Sequence, residues 1–238
     1  MSFYQSLTPY YDVIFPTNEK ALSFIASQFE KGASLLDAGA GTGNMAVSLA
    51  KQGFQLTAME PEGVMAEQIR SKAESGHLPI AVTTKTMQQL DELEGSFDGI
   101  YCIGNTLVHL HDEQEIRSFF KQVFQKLNNG GRFIFQIVNY DKVLKSRDFT
   151  FPVMEKDSFT FMREYELDGD HILFTTSISQ NGSTIKNTIP LYPATSKRLL
   201  SLLQDCGFKT VSMYGNFESK EYSSLQSPAL IVSAVKPS

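Results

Sequence analysis

The stretch Leu35-Leu36-Asp37-Ala38-Gly39-Ala40-Gly41-Thr42-Gly43-Asn44 decides the fold. Its start, Ser34-Leu35-Leu36-Asp37, is a short apolar run that reads as a buried strand. Three glycines at alternate positions follow. An amphipathic run, Met45-Ala46-Val47-Ser48-Leu49-Ala50, then reads as a helix ending at Gly53. Strand, glycine turn and helix together form the context of a nucleotide-binding turn. Glycine lets the backbone bend sharply and approach a ligand, and a helix start presents free N–H groups. The spacing here is G-x-G-x-G. A dinucleotide turn has G-x-G-x-x-G, and Asn44 stands where that pattern places its last glycine.

Outward from the turn, short apolar runs alternate with amphipathic ones, the pattern of parallel strands joined by crossover helices. Residues 17–30 read as a helix capped by Thr17 or Asn18, with Ala21, Leu22, Ile25 and Phe29 on one face. Residues 55–59, 79–84 and 97–103 read as strands, and 62–73 as a helix. In 112–127, Ile116, Phe119, Phe120, Val123, Phe124 and Leu127 make an apolar helical stripe. Asn128-Asn129-Gly130-Gly131 stops that helix, and 132–138 forms a fifth strand. After Tyr140 the texture becomes rich in Phe, Thr, Ser, Ile and Tyr, with turn signals at Asp168-Gly169-Asp170 and Asn181-Gly182. Residues 148–191 therefore read as three or four antiparallel strands. A helix over 195–206, closed by Gly207, and strands at 208–214 and 229–235 complete the chain. The prediction is an α/β fold: a doubly wound, mostly parallel seven-stranded sheet, with an antiparallel β insertion. Residues 1–147 and 192–238 would form the α/β domain, and 148–191 a β-rich inserted subdomain over the substrate site.

Composition narrows the function. The 238 residues are 42% hydrophobic and 20% charged, proportions that support a packed globular core. The net charge is −5 with no Lys/Arg run, which disfavours a nucleic-acid partner. Cys102 and Cys206 sit in apolar settings and read as reduced core residues of a cytoplasmic protein. Residues 1–10 lack the pattern of a signal peptide, and no run is long and apolar enough for a membrane span. A monomer or homodimer is expected.

A second motif reinforces the first. Glu60 ends the strand Thr57-Ala58-Met59-Glu60-Pro61, seventeen positions after Gly43, where a carboxylate can accept hydrogen bonds from both ribose hydroxyls. The residues 37–43, Glu60, the strand Phe97-Asp98-Gly99-Ile100-Tyr101 and the turn Leu127-Asn128-Asn129-Gly130-Gly131-Arg132 resemble the class I S-adenosylmethionine-dependent methyltransferases. The resemblance covers about 35–140, and the last helix and two strands also match. It implies a Rossmann-like methyltransferase fold with S-adenosylmethionine as cofactor. Asp37, Gly39, Ala40 and Gly41 would lie under its methionyl part, Glu60 on its ribose with Pro61 and Met65 beside it, and Thr86 and Met87 flanking its adenine. This chain has no acid near Thr86, so adenine would be held by backbone groups and packing. Tyr4, Tyr10, Tyr11 and Asp12 precede the core, and the run Tyr10-Tyr11-Asp12 resembles the N-terminal lid segment of many such enzymes, which implies that Tyr11 is a cofactor contact.

The acceptor side is read from the carboxyl edge of the fourth and fifth strands. Cys102-Ile103-Gly104-Asn105-Thr106-Leu107-Val108-His109-Leu110 and Val138-Asn139-Tyr140-Asp141 are similar to runs in the glycine and sarcosine N-methyltransferase group. Ile103, Gly104 and Asn105 would touch the cofactor, and Asn139 and Tyr140 the acceptor. His109 is the candidate general base, with Asn139 as its catalytic companion. His111 and Asp112 read as caps of the next helix; no metal site is expected, because no third ligand group stands near His109 and His111. Arg163, within Phe159-Thr160-Phe161-Met162-Arg163, either grips an acceptor carboxylate or pairs on the surface with Glu164 or Glu166. The reading is methyl transfer to nitrogen or oxygen of a small-molecule acceptor. The alternatives are a non-catalytic S-adenosylmethionine-binding module and, against Asn44 and the long stretch before the first strand, a nicotinamide-dependent oxidoreductase.

Overall fold

The computed structural model describes residues 7–238, so Tyr4 and most of the 1–10 stretch lie outside it. The chain enters through two short helices, α1 (Tyr11–Ile14) and α2 (Glu19–Ala26). Asn18 caps α2, its Oδ1 accepting from the backbone N–H groups of Lys20 and Ala21 at 3.0 and 3.1 Å. The helix is shorter than the expected 17–30, because the Ser27 hydroxyl donates back to the Phe24 carbonyl and closes the last turn.

The alternation follows: β1 (Ser34–Ala38), α3 (Asn44–Lys51), β2 (Gln55–Met59), α4 (Gly63–Gly76), β3 (Ile80–Thr83), β4 (Phe97–Cys102), α5 (Glu113–Lys126) and β5 (Leu127–Val138). Next come α6 (Tyr140–Ser146), four strands β6 (Met154–Lys156), β7 (Phe159–Asp168), β8 (His171–Gln180) and β9 (Ser183–Leu191), then α7 (Ser196–Asp205), β10 (Thr210–Tyr214) and β11 (Ala229–Val235). The main sheet has seven strands in the order β10-β11-β5-β4-β1-β2-β3. Pairs among β1 to β5 are parallel, and β11 joins antiparallel to β5 and β10. The chain runs outward from β1 to β3, then crosses back to β4 on the other side of β1. The strand order therefore reverses between β1 and β4, where their carboxyl ends open a crevice.

Burial explains the runs. Leu35, Leu36 and Ala38 are fully enclosed because helices cover both faces of β1. The expected stripe on α5 is real: Ile116, Phe119, Phe120 and Val123 pack on Phe133 and Phe135 of β5, with α7 beside them. On the opposite face Leu35, Tyr101 and Ile134 meet α2 and α3. One boundary differs. β5 begins at Leu127 instead of after the glycines, because Leu127 is buried and pairs with Phe97, while Gly130 and Gly131 bond Lys236. The register shift between Phe97 and Gly99 absorbs the glycine pair.

The second sheet is antiparallel, in the order β6-β7-β8-β9. Asn181 and Gly182 both have positive φ, 50° and 77°, as the two-residue hairpin turn requires. Phe159, Phe161 and Ile178 pack on Leu7 and Ile14 of the entering segment, while Ile172 and Leu191 join the main core. Among the described residues, no helix is long and apolar enough to cross a membrane.

Candidate active site

The glycine turn is held open by its own backbone. Gly39, Gly41 and Gly43 have φ of 84°, 57° and 81°, where a side chain is strained. Gly39 N and Ala40 N both donate to the Met59 carbonyl, at 2.8 and 3.1 Å, tying the end of β1 to the end of β2. A Cβ on Gly39 would overlap Thr106 Cγ2, and one on Gly41 would lie 2.7 Å from the Tyr11 hydroxyl. The turn is thus a cradle that side chains would fill.

Glu60 closes one end of this cradle. It is 6% exposed; Oε2 accepts from Gly41 N at 2.8 Å and Oε1 from Glu62 N at 3.0 Å. Each oxygen keeps capacity for one further donor, the arrangement a vicinal diol needs. Burial pushes this carboxyl up to about 7, despite the two backbone bonds that favour its charged form. Asp37, 2% exposed, lies behind the turn and is likewise pushed up to about 7, mainly by burial. It stands in register with Tyr101, whose buried hydroxyl faces the Asp37 carboxyl and partly offsets the effect of burial on it.

A cavity of about 300 Å³ opens at the crevice between β1 and β4. Its walls bring together Tyr11, Gly39, Gly41, Glu60, Pro61 and Met65, and on the other side Thr86, Met87, Ile103, Gly104 and His109. Met59, Glu62, Lys85, Gln88 and Thr106 also line it and were not expected; Thr106 is seated by its hydroxyl donating to the Ile103 carbonyl. Thr86 opens the turn at Met87 with a reciprocal capping box to Gln89, which fixes that wall.

His109 ends a single 3-10 turn, and burial, with His111 nearby, lowers its pKa to about 4. It is neutral at physiological pH, and burial makes it a weaker base than a free imidazole. Asp112 caps α5 through Glu115 N at 2.8 Å, while the His111 carbonyl lies 2.8 Å from His171 Nε2. No group of three or more metal-ligating side chains occurs among the described residues.

Asp37, Ala40, Asn105, Asn139, Tyr140 and Arg163 are not part of the cavity wall. Asn105 holds the loop above it. At φ 68° this residue is strained, and four bonds fix the loop: Gly104 N to Gln136 Oε1 (2.8 Å), Asn105 N to Gln136 O (3.2 Å), Val138 N to Asn105 Oδ1 (2.9 Å) and Asn105 Nδ2 to the Tyr140 hydroxyl (2.9 Å). Tyr165, on β7, reaches the same Asn105–Tyr140 pair.

Asn139 is 1% exposed and fully engaged by protein. Its Oδ1 accepts from Lys142 N at 3.2 Å, capping α6, and from the Tyr222 hydroxyl at 2.6 Å. Its Nδ2 donates to the carbonyls of Ser223, Ser224 and Ser227. The amide thus supports the 222–227 loop and leaves no hydrogen for an acceptor to receive.

Arg163 lies on the inward face of β7. Its guanidinium stands 4.9 Å from the centre of the Phe151 ring and 5.8 Å from that of Phe161, and its Nε is buried with no hydrogen-bond partner among the described residues. The surface pairing with Glu164 is not formed, because strand alternation turns Glu164 outward to Lys186. Thr176 and Asn187 follow Arg163 across the sheet in register.

Known proteins share this architecture. Residues 35–131 match the family described as Methyltransferase domain. A glycine/sarcosine/dimethylglycine N-methyltransferase of Actinopolyspora halophila is 25% identical over 196 residues, covering 78% of this chain and 33% of that protein. The chain thus spans about a third of that longer relative. A glycine/sarcosine N-methyltransferase of Halorhodospira halochloris is 25% identical over 199 residues, covering 82% of this chain and 73% of that one. A solved S-adenosylmethionine-dependent methyltransferase of Clostridium acetobutylicum superposes over 100% of both chains with a TM-score of 0.86 at 17% identity, a likeness of fold.

Proposed function

We infer that this chain, a class I S-adenosylmethionine-dependent methyltransferase, transfers the methyl group to a nitrogen or oxygen atom of a small-molecule acceptor in the cytoplasm. The observation that carries the acceptor reading is His109: a neutral imidazole on the wall of the cavity that also holds the glycine cradle and Glu60.

Bound S-adenosylmethionine supplies an electrophilic methyl group on a positively charged sulfur. The residues do the rest. Glu60 would receive the ribose hydroxyls, Gly39 and Gly41 would give the methionyl part a surface without side chains, and Thr86 and Met87 would enclose the base. Tyr11 lies across Gly41 and keeps water from the reacting atoms. His109 takes the proton that the acceptor nitrogen or hydroxyl must lose. Asn139 and Tyr140 act one step back from the acceptor, by fixing the Asn105 loop and the start of α6. The 148–191 segment covers the acceptor side and offers Arg163 to an anionic group. The relatives named as N-methyltransferases favour nitrogen.

The test is a methylation assay over small amines, amino acids, hydroxy acids and phenols, run with wild type and His109→Gln. Turnover is expected to fall on the order of a hundredfold, as for loss of a general base, with S-adenosylmethionine affinity unchanged. Weaker cofactor binding with normal turnover at saturation would instead make His109 a cofactor residue. A wild-type chain that binds the cofactor and consumes no acceptor would favour the non-catalytic module.

A further inference from the structure

The entering segment meets the glycine turn through one polar knot. Lys72, from α4, stands 2.8 Å from Asp12 Oδ2 and donates at 2.9 Å to both the Thr42 carbonyl and Asn44 Oδ1. All three ammonium hydrogens are thereby used. Asp12 Oδ1 accepts from the Thr42 hydroxyl and, at 3.0 Å, from Asn44 Nδ2, which also reaches the Phe15 carbonyl at 3.4 Å. Asn44, the residue that breaks the dinucleotide pattern, here binds the segment instead of packing as glycine. Burial alone would raise the Asp12 carboxyl, but Lys72, Thr42 and Asn44 outweigh it and hold it below the usual range.

Two attachments of different kind thus hold one segment. Toward the second sheet the contacts are mostly apolar: Leu7 and Ile14 with Phe159, Phe161 and Ile178, edge contact of Phe15 with Phe161, and a bond from the Tyr10 hydroxyl to Gln180. Toward the cofactor cavity they are the ionic knot and Tyr11, whose hydroxyl rests over Gly41 and whose ring lines the cavity. The knot is the weaker attachment, since Lys72 and Asp12 side chains are 28% and 46% exposed. Tyr11 adjoins Asp12 in α1, so opening the knot moves the ring.

We propose that Lys72 is a positioning residue of the methyl-transfer site: by holding Asp12 on the glycine turn it keeps Tyr11 across the cofactor cavity, and cofactor exchange proceeds by opening this knot while the segment stays attached to the second sheet. The proposal rests on the cofactor reading above. It assigns Lys72 an effect on release instead of on chemistry.

The experiment measures release of S-adenosylhomocysteine from the immobilised full chain by surface plasmon resonance. Lys72→Met and Asp12→Asn should each release it about tenfold faster, the size of one lost charge-assisted hydrogen-bond set. Lys72→Arg should restore most of the wild-type rate. The double variant should be no faster than either single one, because one interaction is removed twice. Raising ionic strength from about 0.05 to about 0.5 M should speed release from wild type and leave Lys72→Met nearly flat. A merely structural lysine would lower the melting temperature without this salt signature or the rescue by arginine. Unchanged release in both single variants, with tight binding, overturns the proposal alone. A wild-type chain that takes up no S-adenosylhomocysteine overturns the cofactor reading and the proposal with it.

Discussion

The glycine turn and the inner face of the second sheet treat buried polarity in opposite ways. At the turn the protein satisfies itself: Gly39 N and Ala40 N share the Met59 carbonyl, and Gly41 N and Glu62 N take one oxygen each of Glu60. On β7 the protein leaves a charge open. Arg163 has two rings beside it and a buried Nε that meets no acceptor among the described residues. A pre-satisfied site holds its shape without ligand, as suits a cofactor common to many reactions. A site with an unmet cation stores a preference for whatever anion completes it. The two regions can therefore be separated by substitution: changes at the turn should abolish cofactor binding, and changes on β7 should alter acceptor use alone.

The largest effect belongs to Gly39→Ala. The new methyl overlaps Thr106 Cγ2, a branched side chain whose hydroxyl is already committed to Ile103, and it does so at φ 84°. Strain of about 1–3 kcal/mol from the backbone adds to the overlap, so S-adenosylmethionine affinity should drop by on the order of a thousandfold in calorimetric titration. Adding Thr106→Ser removes the overlapping carbon and should recover part of the loss. No recovery would mean that backbone strain, and not the Thr106 wall, shapes the cradle.

Glu60→Gln comes next. If Glu60 holds the ribose, exchanging its carboxylate for an amide weakens two hydrogen bonds to it, and affinity should fall about thirtyfold. The variant also carries a pH signature. The folded-state pKa of Glu60 is raised, from 4.5 to about 7, so the folded chain keeps a proton that the unfolded chain gives up. The stability this contributes is complete below pH 4.5 and disappears as pH rises through 7. For one group this amounts to on the order of 3 kcal/mol. Urea unfolding of the free protein at pH 5 and pH 8 should show that loss in wild type and a smaller one in Glu60→Gln. Asp37 supplies the remainder, its own rise being eased once the neighbouring charge is gone. Parallel curves for the two proteins would show that Glu60 is already ionised in the free chain.

The contrast also explains what the sequence made legible. A backbone at positive φ restricts residue choice at that one position, so three alternate glycines announced the turn. The stripe Ile116, Phe119, Phe120 and Val123 announced α5 for the same local reason. Met59, Thr106 and Gln136 were missed because strand register and loop closure bring them in from other parts of the chain. The Asp12–Lys72 contact spans sixty positions and has no local signature. Asn139 shows a different limit. The type of a polar residue does not say whether it faces a ligand or its own backbone. The signal for the latter was present: an Asn just before Tyr140-Asp141-Lys142 is a helix cap.

The smallest effect is the sharpest, because its two readouts should move in opposite directions. In Arg163→Met an apolar side chain of similar length replaces a cation whose buried Nε has no hydrogen-bond partner among the described residues. Removing an unpaired, partly buried charge relieves a desolvation penalty, and the thioether can lie against Phe151 and Phe161 in its place. The melting temperature should therefore hold or rise. If Arg163 binds an anionic group of the acceptor, KM for that acceptor should increase about tenfold while S-adenosylmethionine affinity stays as in wild type. A stabilised protein that recognises its acceptor less well is the mark of a residue kept for the ligand. Should melting fall and KM remain unchanged, the cation's contact with the two rings would be its whole role. The second sheet would then be as self-satisfied as the glycine turn, and acceptor specificity would have to be sought around His109.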